Sequence, residues 1–227
     1  MHRLLTPLLR RVYVVFGVFS AAYCCLILFE HSSWHKERLY AKLCSGTREQ
    51  RISAAFDLSY FDGEEQLLRA CRVSSPTVRG LAMNSLWDLW ARAAGHAAFR
   101  QVQAANLAIE RKAYPEALRI LTQLTQMQPD FPEAWNRRAT LYWQMGRYED
   151  SIADAQKAVA LNPNHFGAWQ GMVLCYIQLG DLAEACRCIR AALRVTPRDR
   201  ALQHFLGHCE AVLQLLTPHR RVQYDTV

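Results

Sequence analysis

His204 and His208 stand four residues apart, one turn of a helix, a spacing that can chelate zinc. Cys186 and Cys188 precede them, and Arg187 and Arg190 place beside those thiols the positive charge that activates a nucleophilic thiolate. Neither chemistry completes itself. Cysteines two apart on a helix point to different sides, whereas cysteine pairs in zinc sites use a two-residue gap within a turn. Buried, inert thiols and packed or surface histidines are the expected state. The carboxylates are scattered, with no focused pair for acid–base work. No phosphate-binding loop, dinucleotide glycine fingerprint, nucleophile elbow or H-E-x-x-H helix occurs. The sequence predicts a protein that is not an enzyme, with no metal and no cofactor.

What would position these residues is a set of helices with a fixed period. Pro129, Pro163 and Pro197 lie 34 residues apart, and Trp135 and Trp169 keep the same interval. A period of that length is read before any other signal, because it determines the whole fold. Ala117, Ser151 and Ala185 form a small-residue column, as do Leu124, Ala158 and Ala192, while Ala108, Tyr142 and Tyr176 form a third. Gly146 pairs with Gly180, and Lys112 holds that place in the first unit. Each unit carries two runs of helical spacing, such as 135–144 and 149–161. Glycine ends the first helix, and proline closes the unit because it cannot continue a helix. Asp130 with Glu133, and Asp181 with Glu184, read as capping boxes.

On these residues the chain resembles the tetratricopeptide repeat (TPR) family, with units at 98–131, 132–165 and 166–199. The middle unit carries the resemblance best, through Trp135, Tyr142, Gly146, Tyr148, Ala158 and Pro163. The resemblance implies an all-α solenoid of three stacked helix pairs, which bury together what one pair cannot bury alone. It also implies protein binding on a groove lined by the first helix of each pair. Carried over by register, the groove residues are Val102, Gln103, Asn106 and Ile109; Asn136, Arg137, Thr140 and Trp143; and Gln170, Gly171, Leu174 and Ile177. Chaperone-binding members hold a terminal carboxylate with lysines, arginines and asparagines. Asn106 matches that clamp, but Val102 stands where its lysine belongs, and Gly167 and Gly171 where two basic residues belong. Arg137 lies near the place of a clamp asparagine. The groove is mixed apolar and amide, suited to an extended or helical peptide rather than a bare carboxylate.

Ahead of the repeats, Val12 to Phe29 is an uncharged run of 18 residues, with Arg3, Arg10 and Arg11 before it. As a helix it would be about 27 Å long, near the lower limit for crossing a bilayer core. Residues 1–30 are expected to be a transmembrane anchor, with Tyr13 and Trp34 near opposite interfaces. A secretory signal cleaved after Ser20-Ala21-Ala22 and an organelle targeting segment are the alternatives. Lys36, Arg38 and Lys42 balance the three leading arginines, so the positive-inside rule gives no orientation. Cysteines without a disulfide framework suit a reducing compartment, here cytosol, matrix or stroma. The alternative location is a mitochondrion or plastid. Of the net charge of +7, more than half sits in residues 1–45, with six Lys/Arg against two Asp/Glu. That suits membrane anchoring, and nucleic acid is not an expected partner.

Residues 31–46 read as a polar juxtamembrane linker and 47–97 as a helical cap before the repeats. Within the cap are a short helix near 64–72 and a longer one opened by Ser75-Pro76 and ended near Gly95. Trp87 and Trp90 on that helix are expected to pack against the first repeat. Residues 200–217 form a closing helix, with Leu202, Phe205, Leu206 and Cys209 on one side, and 218–227 a disordered tail. The function expected is a membrane-tethered adaptor binding a partner peptide or helix. An organelle assembly or maturation factor using the same repeats is the alternative.

Overall fold

The structure, a computed structural model, describes residues 19–20, 23–25 and 27–216. Most of the run at 12–29 and the tail at 218–227 therefore lie outside the described residues. Among the described residues there is no strand, and no helix is long and apolar enough to cross a membrane. The chain divides into two compact units. One contains the residues up to Ala70 together with 76–86; the other contains 71–75 and everything from Trp87 onward.

In the first unit, α1 (Ser33–Ser45), α2 (Arg48–Tyr60) and α3 (Glu64–Ala70) pack on one another. Residues 31–46 are thus mostly helix rather than linker. The polar pattern hid two core positions, Leu39 and Leu43, which α1 buries. Ser32 caps α1 by accepting from the His35 amide, and Thr47 with Gln50 closes a reciprocal capping box on α2. Glu37 of α1 accepts from Gln66 at 2.9 Å and from Arg69 at 2.5 Å, tying α3 to α1. The helix α4 (Pro76–Arg92) opens on its proline, as the sequence predicts. It contributes residues up to Leu86 to this unit.

The second unit holds three helix pairs and a closing helix: α5 (Gly95–Glu110) with α6 (Tyr114–Met127), α7 (Pro132–Gln144) with α8 (Tyr148–Leu161), α9 (Phe166–Gln178) with α10 (Leu182–Val195), and α11 (Arg200–Leu216). Within it, α5 neighbours α7 and α7 neighbours α9, so the first helices of successive pairs form one row. The 34-residue period reappears as hydrogen bonds. Amides of Ala113, Arg147 and Asp181 donate to the carbonyls of Ala108, Tyr142 and Tyr176, at 2.8, 2.9 and 2.8 Å. This wrapped helix end needs a left-handed residue, and Lys112, Gly146 and Gly180 supply it at φ +60°, +74° and +78°. The indoles of Trp135 and Trp169 donate to Pro129 and Pro163 carbonyls at 2.8 and 2.9 Å; Gln203 does the same to Pro197 at 2.6 Å. Both small-residue columns are buried.

Two local readings change. Gly95, at φ +84°, opens α5 instead of ending α4, which stops at Arg92. The expected capping box of Asp130 and Glu133 is absent: Phe131 is the cap, without a side-chain bond, and Pro132 occupies the first turn. Glu133 turns inward and is wholly buried, because His165 and Arg137 offer its carboxylate stronger partners than an exposed amide would. Asp181 does cap α10, accepting from the Glu184 amide at 3.0 Å.

Candidate functional site

The row of first helices bears a cleft of about 320 Å³, between α7 and α9. Asn136, Arg137, Thr140 and Trp143 line it from α7, and Gln170, Gly171 and Leu174 from α9. Helical spacing explains the set, since 136, 140 and 143, like 167, 171 and 174, recur every three or four residues and share a face. Trp143 is 38% exposed and Leu174 47%, so both offer apolar surface to a ligand. Thr140 Oγ1 donates to the Asn136 carbonyl at 3.0 Å. From these two helices the lining thus combines one indole, one aliphatic side chain and two amides with Arg137 and Thr140, the composition that recognises a peptide's side chains and backbone together.

The first pair contributes none of its expected residues to this cleft. Val102 is 1% exposed, packed in a cluster with Ala98, Leu124, Phe131 and Ala134. Ile109 packs on the cluster of Ala105, Ala108 and Leu121, and Ile177 on that of Met172 and Cys188. The physical reason is common to all three: a branched aliphatic side chain within reach of a core is drawn into it. Asn106 is half-buried and outside the cleft.

One wall comes from Trp87. Its ring lies edge-on to Trp90, His165 and Phe166, at 6.0, 5.3 and 5.2 Å between centroids. The Arg137 guanidinium stands 5.4 Å over its face. Trp87 and Trp90 are therefore packed at the start of the third pair, whereas the sequence placed them against the first. A Cβ built on Gly167 would meet Trp87 Cη2 at 2.2 Å. The indole occupies the space that a clamp side chain at position 167 would need, so the absence of a basic residue there has a steric cause.

Beneath this wall lies a polar group that the 34-residue register does not reveal. The Ala168 amide donates to His165 Nδ1 at 3.2 Å, so the ring proton sits on Nε2 and is donated to Glu133 Oε2 at 2.9 Å. Arg137 bonds the other Glu133 oxygen, and Trp90 stacks on the imidazole at 4.8 Å. Every buried polar atom named here has a partner, as burial demands. The arrangement fixes Arg137 at the cleft floor with its charge already half committed. A second buried ion pair locks the back of α7: Arg138 makes a fork to Asp154 at 2.6 and 2.9 Å and donates to Thr125 Oγ1 at 2.9 Å. That bond to Asp154 is the main cause that raises the arginine's pKa.

A larger trough of about 660 Å³ runs over α8, α9 and α10, lined by Trp169, Met172, Tyr176 and Cys188 with arginines at its edge. None of the groove residues expected from the sequence lies there. Two of its edge arginines are committed, Arg187 to Glu184 and Arg190 to Glu210. Burial pushes the Cys188 thiol up to about 11 and also raises Cys175 and Cys186, so at neutral pH these thiols stay protonated and poorly nucleophilic. The ring centroids of His204 and His208 lie 4.4 Å apart, with His208 Nδ1 at 3.0 Å from the His204 carbonyl. Among the described residues, no group of three or more potential metal ligands gathers around them.

Residues 132–165 match one model of the tetratricopeptide repeat, and 166–199 match a second. A TPR repeat-containing protein of Rhizobium etli is 37% identical over 102 residues, which are 45% of this chain and 50% of that protein. Superkiller complex protein 3 of Homo sapiens is 30% identical over 121 residues, 49% of this chain and 8% of that protein. The chain thus spans about half the length of the first relative and far less of the second. Among solved structures, the first TPR domain of RPAP3 (Spaghetti), bound to an HSP90 peptide, aligns at 22% identity. Its TM-score is 0.48, covering 50% of this chain and 90% of that domain. Residues 132–165 and 166–199, each built as a pair of helices around the same glycine turn, are thus tetratricopeptide repeats.

Proposed function

We propose that the chain is a non-catalytic adaptor that holds a segment of a partner protein in the cleft between α7 and α9. The observation that carries this is convergence. Asn136, Arg137, Thr140, Trp143, Gln170 and Leu174, nominated by carrying the family resemblance over in register, line one cleft, with Trp143 and Leu174 as exposed apolar anchors. The pair α5–α6 is read as a further repeat, 98–131, supported by its identical turn bond from Ala113 to Ala108. The preferred ligand is an extended or helical peptide with apolar side chains. Arg137 is already paired with Glu133, and Trp87 fills the place beside Gly167, so a bare carboxylate has few donors to meet. The uncharged run at 12–29 supports a tether to a membrane, and the unbridged cysteines suit repeats held in a reducing compartment.

Proximity labelling with the tagged full chain would define its partners. Trp143→Ala and Leu174→Glu change exposed side chains and should leave the helix content intact. A central indole is worth at least about 2 kcal/mol in binding, so either variant should strip the partners from the labelled set. A partner set unchanged in both folded variants would overturn the cleft as the site.

A further inference from the structure

Within the first unit, α2 carries an apolar stripe that nothing among the described residues covers. Ile52, Phe56 and Tyr60 recur every fourth residue and are 49%, 57% and 64% exposed. The opposite side of the same helix, with Ala54, Ala55 and Leu58, is the buried one. A helix in water has no reason to be apolar on both sides.

The stripe continues as a chain of ring contacts. Phe56 stacks near Tyr60 at 6.4 Å, Tyr60 meets Phe61 at 5.3 Å, and Phe61 meets His35 at 5.7 Å. His35 meets Phe29 at 5.1 Å, and Phe29 meets Trp34 at 5.5 Å. Trp34 is itself largely exposed and lies under the Arg38 guanidinium at 5.7 Å. Phe29 is the last residue of the uncharged run that begins at Val12, and Leu28 and Tyr23 within that run are exposed as well. The aromatic face is therefore continuous, residue by residue, with the most apolar segment of the sequence.

That continuity identifies the occupant. Tryptophan and tyrosine gather where a chain leaves the hydrocarbon, because one end of each ring is apolar and the other polar. A cation beside such rings suits lipid phosphates, and an apolar helical stripe gains by lying in the boundary between headgroups and acyl chains. We propose that this face of the first unit, Ile52, Phe56, Tyr60 and Trp34 with Arg38, lies on a lipid surface. The placement rests on the tether proposed for residues 12–29, and it gives the tethered protein a second, flat contact with the bilayer.

The test places photoreactive benzoylphenylalanine singly at Ile52, Phe56, Phe19 and Met127 of the full chain. Met127 is exposed but lies in the second unit, where no lipid contact is expected. Each variant is reconstituted into phosphatidylcholine–phosphatidylserine vesicles, irradiated and analysed for lipid adducts. Adducts at Ile52 and Phe56 about tenfold above those at Met127, together with adducts at Phe19, are the expected result. Adducts at Phe19 alone would overturn the lipid-facing surface and leave the tether standing. Adducts at Ile52 and Phe56 without Phe19 would support the surface and remove the tether. Labelling at none of the four, or equally at Met127, would overturn the proposal.

Discussion

The first helix pair and the two that follow make the same turn from different residues. In α7–α8 and α9–α10, glycine takes the left-handed position that closes the first helix; in α5–α6, Lys112 takes it at φ +60°. Where Trp135 and Trp169 bond proline carbonyls, the first pair has Gln101, whose Oε1 is buried without a partner. Yet Ala117 and Leu124 are as deeply buried as their counterparts in the later pairs. The small, buried columns therefore hold each helix pair together, because they let paired helices approach closely. The glycine and tryptophan signature refines the turn, and packing can impose that turn on a lysine.

The largest expected effect falls on something that only the middle pair has. Asp154 receives the fork from Arg138, and its register partners Ile120 and Cys188 have no such role. Asp154→Ala leaves a nearly buried guanidinium unpaired and should cost about 3 kcal/mol, read from urea midpoints on the full chain. A loss no larger than that of Ala153→Ser, an exposed neighbour, would show the pair to be dispensable.

The turn itself is tested next. Gly146 has nothing within 4 Å of where a Cβ would stand, so Gly146→Ala isolates the backbone term. It should cost about 1–2 kcal/mol. The reciprocal change, Lys112→Gly, should stabilise by up to about 1 kcal/mol, since left-handed strain is relieved while the unfolded chain gains freedom. If Lys112→Gly destabilises the protein, the lysine side chain contributes something the turn geometry does not require.

The smallest effect concerns thiols, which α9–α10 contains and α5–α6 lacks. Burial raises the thiols of Cys175, Cys186 and Cys188, the last from 9.0 to about 11. The folded state therefore retains protons that the unfolded chain releases, so stability falls as pH rises from about 9 towards 11. For Cys188 the loss amounts to a few tenths of a kcal/mol near pH 9 and grows above it. Thermal midpoints of wild type and Cys188→Ala should diverge in slope across that window and run parallel below pH 8.

Much of this was legible beforehand for a physical reason. A period in sequence becomes a period in space when each unit packs only on its neighbours. Pro129, Pro163 and Pro197 marked the unit ends, and 146 and 180 the turns. The groove positions on α7 and α9 came from the family resemblance, carried over in that register. The failures share a cause as well. Val102, Ile109 and Ile177 were placed by register on a face, but register does not say how deep a neighbouring core reaches. Glu133 had the spacing of a capping residue, and its inward turn depended on His165, 32 residues away and out of phase with the repeat.

By itself, then, the sequence determined the all-helical repeat, its boundaries from 132 to 199 and the left-handed turns, for which short-range sterics and hydrophobic periodicity suffice. The groove residues on α7 and α9 came from the family resemblance, carried over by register. Tertiary structure alone decided that 31–46 contains the helix α1, that Trp87 walls the cleft against Gly167, and that Glu133, His165 and Arg137 form one buried group beneath it. Each of these depends on burial between segments distant in sequence, where desolvation compels a polar atom to find its partner and an indole to find its space.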